Sequence, residues 1–351
     1  MHADADDSGL QWTQGASLRE LNSFGVDARA SVLAVADNIS AVVEAIERAE
    51  SKALPLQVLG GGSNILLAGD VDAVVLVPRL RGIEWLSGAP DRRRVRVAAG
   101  ENWHDFVDLS LREGAFGLEN LALIPGTIGA SPIQNIGAYG VEVEAFIEHV
   151  EVYDRQAHGI DHLTRAQCEF SYRDSVFKRH PERYIVLSVE FELLARPAPL
   201  LEYAGIADEL IARGIAAPSS RDVFNAVCAI RRQKLPDPAV IGNAGSFFKN
   251  PVVTPAQAGS LRHKYPNLPV FAIPSGSRKL AAAWMIDQCG WKGARIGDAG
   301  VHSEHALVLV NHGRASGAEI LALSREIQRS VQKAFDVQLE PEPRVLGATG
   351  T

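Results

Sequence analysis

Gly60-Gly61-Gly62-Ser63-Asn64 lies between two apolar runs, residues 56–59 and 65–67. Glycines let backbone N–H groups approach an anion closely, and Ser63 and Asn64 add a hydroxyl and an amide. Such a loop could cradle a pyrophosphate, and a plain turn is the alternative. It is no Walker loop, because no Lys-Ser or Lys-Thr pair follows, and it is no GxGxxG. The segment IPGTIGASPIQNIGAYG at 124–140 is longer and more specific. Its glycines permit unusual backbone geometry, while Gln134, Asn135 and Tyr139 supply polar contacts. A planar ring system such as an isoalloxazine needs donors and acceptors of this kind along one edge. A structural crossover loop is the competing reading.

Three further groupings carry reactive types. Ser171-Tyr172-Arg173-Asp174-Ser175 sets an arginine among polar groups, and an adjacent Arg and Asp commonly form a structural pair. Ser246 follows small residues and precedes Phe247 and Phe248; a hydrolase elbow would require glycine where Phe248 stands. Leu339-Glu340-Pro341-Glu342-Pro343-Arg344 places two carboxylates and an arginine in a stiff, extended stretch near the C-terminus. His302 and His305 are spaced HxxH without an evident third ligand, and Cys168, Cys228 and Cys289 make no metal spacing, so no metal is expected.

The elements that must position these groups follow from periodicity. A helix is expected over about 40–50 after Asp37-Asn38, with Val42, Val43 and Ile46 on one face. Strands are expected at 56–59, 65–67, 74–77, 95–98, 149–153 and 184–194, and Asn102 caps a helix over 103–113. Arg92, Arg93, Arg94 and Arg96 alternate with Val95 and Val97 on an exposed hairpin arm. A helix over 222–232 stops at Leu235-Pro236-Asp237-Pro238, and another is expected near 279–289. A final helix spans 317–335, with Ser316 and Glu319 as a capping box and Ile320, Leu323, Ile327 and Val331 inward. Residues 1–15 read as a loose tail.

Composition limits the function. At 351 residues the chain suggests two or three domains with a core that needs no disulfide or metal. A formal net charge of -7 argues against a nucleic-acid partner. No apolar run reaches the length of a membrane span, and the start MHADADDSGL lacks a signal-peptide pattern, which points to the cytoplasm.

Taken together, GGGSN, IPGTIGASPIQNIGAYG, SYRDSVFK, FNAVCAIRRQKLPDP, GNAGSFFKNP, KLAAAWMIDQCGWKG and LEPEPR resemble, in the same order, the UDP-N-acetylenolpyruvoylglucosamine reductases, the MurB family. The resemblance runs from about residue 17 to 347, and Leu201-Glu202-Tyr203 resembles the substrate-closing tyrosine loop of the type I branch. It implies an α+β chain with a two-part FAD-binding domain of the PCMH/VAO type and a smaller α+β substrate domain. The expected parts are 1–80 with the returning segment 337–351, then 81–235 with the tyrosine loop, then 236–336. It further implies ping-pong chemistry: NADPH reduces non-covalently bound FAD, which reduces the enolpyruvyl group of a UDP-sugar to give UDP-N-acetylmuramate for peptidoglycan. A monomer is expected.

The resemblance assigns residues one by one. Arg173, aided by Glu342, would stabilise negative charge spread into the substrate carboxylate, and Ser246 would donate the proton. Lys234 is a candidate to relieve the alkoxide left on Ser246. Glu342 in its neutral form could donate a hydrogen bond. Flavin contacts would come from Gly60, Gly61, Gly62, Ser63, Asn64, Pro125, Gly126, Ile128, Gly129, Ala130, Gln134, Asn135, Gly137, Ala138, Tyr139, Arg231 and Arg344. Tyr172, Tyr203, Lys234 and Asn250 would hold the substrate. Phe271 stands where relatives often carry tyrosine, and His305 where glutamine is common. An oxidase of the same fold is the nearest rival. Such oxidases often tether flavin through a histidine in the first glycine loop, which has none here.

Overall fold

The computed structural model describes residues 4, 5, 8–273 and 275–347, and the chain divides into two compact units. The first comprises 1–16, 30–61 and 72–233; the second comprises 17–29, 62–71 and 234–351.

The first unit contains two five-stranded sheets. One runs Asp4–Ala5, Leu10–Gln14, Ala30–Ala36, Val71–Pro78, Leu56–Val58, with the last pair parallel. Residues 59–70 connect the two strands of the parallel pair, and the helix Ile39–Ser51 connects Ala30–Ala36 to Leu56–Val58. Asn38 starts that helix by accepting from Ala41 N at 2.8 Å, and Ala41, Val42, Ala45, Ile46 and Ala49 form its buried face. The second sheet is antiparallel, in the order Gly159–Thr164, Ile147–Asp154, Tyr184–Leu194, Arg92–Ala98, Ile83–Leu86. Val95 and Val97 are fully buried while Arg94 pairs with Glu190 and Arg96 with Glu84, so the arginine run is a paired strand face. The helix Trp103–Arg112 begins at Asn102, whose side chain accepts from Asp105 N at 3.0 Å.

The second unit holds an antiparallel sheet in the order Gly242–Ser246, Val308–Asn311, Ala299–Val301, Arg295–Ile296. A smaller sheet joins Val252–Val253, Arg278–Leu280 and Val270–Ala272. The helix Gly317–Phe335 carries the expected capping box and buries Ile320, Leu323, Ile327 and Val331. Arg344–Leu346 lies parallel to Ile65–Leu67.

Two expectations need correction. Within 1–15, of which 1–3, 6 and 7 lie outside the described residues, the stretch Leu10–Gln14 is not a loose tail but a strand, with Leu10 buried in the core and paired with Ala36. Leu10, Trp12 packed partly buried against the core, and the antiparallel neighbour order this stretch. The helix near 279–289 is shorter, because Arg278–Leu280 is a strand and the helix spans Ala282–Gln288.

Candidate active site

In the first unit the two glycine loops meet backbone to backbone. A Cβ on Gly61 would stand 2.9 Å from the Gly126 Cα, and one on Gly60 would stand 2.9 Å from Thr127 Oγ1. A Cβ on Gly129 would meet the Ala99 Cβ at 2.7 Å. Pro125, Ile128 and Ala130 complete this turn, with Ile128 buried beneath it. Further along, Asn135 and Tyr139 take left-handed backbone conformations, φ 45 and 51. The Asn135 side chain secures the loop: its amide donates to Glu142 Oε2 at 3.1 Å and Ser171 O at 3.3 Å, and its oxygen accepts from Glu144 N at 3.1 Å. Gln134 and Ala138 lie on the same loop, half-buried.

Arg173 sits at φ 56 in a tight turn closed by reciprocal Ser171–Asp174 backbone bonds. Its Nη2 donates to Gly137 O at 2.8 Å, and its guanidinium lies 5.6 Å from the Tyr172 ring centroid. A Cβ at Gly137 would fall 2.9 Å from Glu142 Cγ, 3.0 Å from Val141 O and 3.2 Å from Arg173 Nη1, so glycine eases the close packing there. The adjacent Arg173 and Asp174 are not the structural ion pair considered for this motif, since Asp174 pairs with Arg179.

Arg231 donates through Nε to Leu123 O at 3.1 Å, and the Tyr139 phenol is among the groups that act on its charge. Burial draws its guanidinium below the usual arginine range, and burial raises the Tyr139 phenol. No Asp or Glu is among these partners of Arg231. A desolvated cation that donates to a backbone carbonyl suits an electron-rich or anionic group brought by a ligand. The Tyr139 ring meets Tyr203 edge-on, centroids 5.1 Å apart.

His104, Leu123 and Asn120 also shape this unit, and the sequence reading missed them. His104 stacks on Phe224 and accepts from Leu123 N at 3.0 Å; Leu123 has φ 57, and its carbonyl then meets Arg231. Burial keeps the His104 imidazole below its ordinary value. None of the three sits in a local pattern that distinguishes it from packing residues.

In the second unit Ser246 and Glu342 lie on bonded segments. Glu342 N donates to Phe247 O at 2.8 Å, Lys249 N donates to Glu340 O at 2.9 Å, and Phe248 bridges Pro341. Ser246 ends its strand opposite Val308 after a register irregularity, preceded by Gly245 at φ 67. Asn64 joins the same segment: its amide donates to Glu342 O at 3.4 Å, and its carbonyl accepts from Arg344 N at 3.2 Å. Gly62 is obligatory, since a Cβ there would stand 1.9 Å from Leu21 O. Ser63 is half-buried and Arg344 exposed. Asn250 Oδ1 accepts from Ala282 N at 3.0 Å, serving the start of the helix Ala282–Gln288. Burial lowers the His305 imidazole, and the Lys234 charge lowers it further. Among the described residues no His, Cys, Asp and Glu group could hold a metal ion, and no helix is long and apolar enough to cross a membrane.

The glycine cradles and the buried Arg231 fit a flavin nucleotide. A family profile described as FAD binding domain matches residues 30–159. The chain is an FAD-dependent oxidoreductase. A second profile, described as UDP-N-acetylenolpyruvoylglucosamine reductase, C-terminal domain, matches residues 237–346. The enzyme of that name from Pseudomonas aeruginosa is 49% identical over 96% of this chain and 99% of its own. That from Xanthomonas campestris is 51% identical over 97% and 98%. The chain belongs to the UDP-N-acetylenolpyruvoylglucosamine reductase family. The crystal structure of the Thermus caldophilus reductase aligns with TM-score 0.66 at 26% identity, covering 96% of this chain and 98% of its own. A solvent-stable cholesterol oxidase shares the fold alone, at TM-score 0.50 and 11% identity over 97% of this chain and 88% of its own.

Proposed function

We propose that this chain reduces UDP-N-acetylglucosamine enolpyruvate to UDP-N-acetylmuramate in the cytoplasm, acting as a monomer in peptidoglycan precursor synthesis. Its parts are then the FAD-binding segments 1–80 with 337–351 and 81–235, and a substrate domain 236–336. FAD, when bound, supplies the hydride and is itself recharged by NADPH. The chain's own residues handle charge and protons. Arg173, aimed by Gly137 O, faces the substrate carboxylate into which negative charge spreads as the vinyl carbon is reduced. Glu342 in its neutral form donates a hydrogen bond to that carboxylate. Ser246 gives its hydroxyl proton to the other carbon; a weak acid suffices when the carbanion is strongly basic and the donor is positioned. Lys234 relieves the resulting alkoxide. Tyr172, Tyr203, Lys234 and Asn250 hold the diphosphate and sugar, and the two glycine loops with Arg231 and Arg344 hold the flavin.

The observation that carries this reading is the backbone pairing of the Phe247 and Glu342 segments, which keeps proton donor and carboxyl in a fixed relation. The test is the visible spectrum of the anaerobic protein as purified, after NADPH, and after the enolpyruvyl sugar nucleotide. Bleaching by NADPH and return of colour with that substrate is the expected sequence. Recolouring by oxygen alone would favour an oxidase, and a protein unable to take up FAD would end the proposal.

A further inference from the structure

Asn120 lies in the short turn Glu119–Leu121 and is 2% exposed. Its amide nitrogen donates to Tyr139 O at 3.0 Å and to Leu200 O at 3.2 Å. The acceptors belong to separate segments: the glycine loop, and the stretch from Ala195 that leads to Tyr203. An amide nitrogen has two hydrogens, and here each is committed to a different segment. Tyr203 precedes the helix Ala204–Ala212 and makes no side-chain cap bond. Its ring is located instead by the edge of Tyr139 and by Gly205, where a Cβ would stand 3.2 Å from Tyr203 Cε1. Tyr139 in turn takes a left-handed backbone conformation.

We infer that Asn120 is a positioning residue for Tyr203, latching the tyrosine segment onto the glycine loop so that the phenol is presented to the sugar nucleotide in a preset place. This rests on the reading of Tyr203 as a substrate contact. Ordering nine residues between Leu194 and Ala204 costs conformational entropy that a substrate would otherwise have to overcome on binding. Two partly buried hydrogen bonds made in advance lower that cost.

The test uses the FAD-loaded full chain as wild type, Asn120→Ala, Asn120→Asp, Tyr203→Ala and the Asn120→Ala/Tyr203→Ala double variant. Asn120→Asp keeps the shape and removes both donated bonds, which guards against a folding failure in the alanine variant. Expected is a rise of about tenfold in KM for the enolpyruvyl sugar nucleotide in either Asn120 variant, equivalent to ~1.4 kcal/mol, with kcat within about twofold. In the Tyr203→Ala background Asn120→Ala should add less than about twofold, because the group it positions is gone. Without substrate, chymotrypsin should cut at Leu200, Leu201 or Tyr203 faster in both Asn120 variants than in wild type. An equal KM rise in both backgrounds, or unchanged cleavage, overturns the latch. A wild type that fails to turn over the enolpyruvyl compound counts against the proposed function instead, and the cleavage comparison still decides the latch.

Discussion

Gly61 and Gly126 face each other so closely that a single added methyl group on Gly61 would stand 2.9 Å from the Gly126 Cα and 3.4 Å from its carbonyl carbon. Both neighbours are backbone, so neither can swing aside. Gly61→Ala must push the two loops apart, at a cost of ~1–3 kcal/mol. If the loops hold the flavin, FAD affinity falls by about tenfold to a hundredfold. Gly60→Ala should be milder, because the atom it meets is the Thr127 hydroxyl, which can rotate. Flavin content after dialysis separates the two variants; equal losses would show that the backbone approach at Gly61 is not what matters.

Arg173 Nη2 donates to Gly137 O at 2.8 Å, a bond that helps to aim the guanidinium. Arg173→Lys keeps a charge but loses the planar fork and its anchor. The expected result is reoxidation of the reduced enzyme by the enolpyruvyl substrate slowed about 10²–10³-fold. Reduction by NADPH should stay near the wild-type rate. Stopped-flow measurement of each half-reaction checks this, and equal slowing of both would place Arg173 at the cofactor rather than the substrate.

Glu342 distinguishes a hydrogen-bond role from a charge role. Glu342→Gln keeps an N–H donor and the backbone bond to Phe247, so turnover should fall by about tenfold or less. Glu342→Ala should lose about 10²–10³-fold. Steady-state rates of the two variants at saturating substrate decide the matter, and equally inactive variants would mean that the carboxylate charge itself is required.

His305 gives the fold a pH dependence of definite sign. Burial, and then Lys234, depress its folded pKa below the ordinary histidine value. His302 and Lys292 act in the same direction, while a backbone hydrogen bond within His305 opposes them. As pH falls below about 6.5, the unfolded chain takes up a proton that the folded imidazole resists, so stability is lost toward the folded pKa. His104, also depressed by burial, adds in the same sense. His305→Gln removes one of these groups. Its Tm should therefore drop less than that of wild type between about pH 7.5 and pH 5.5. Parallel Tm curves would show that His305 does not contribute.

Asn102→Ala removes the acceptor for Asp105 N at the start of the helix Trp103–Arg112. The loss should be ~1 kcal/mol, read from the denaturant midpoint at unchanged slope.

The local rules wrote much of this molecule into its sequence. Ser316 with Glu319, Asn102 and Asn38 announce helix starts, because capping depends only on residues within one turn. The alternation around Val95 and Val97 announces a half-buried strand, because side-chain period is a local property. The ordered set of motifs, read as a resemblance, carried the family. What tertiary structure decided is everything that depends on partners distant in the chain. Leu10–Gln14 looks like a tail until its pairing with Val32–Ala36 is known. The bond from Asn120 to Leu200 spans 80 residues, and that from Asn64 to Glu342 spans 278. The meeting of Gly61 with Gly126, and of Arg231 with Leu123 O, is of the same kind. Sequence specifies which backbone conformations and charges are available; only packing brings together atoms that no short-range pattern links.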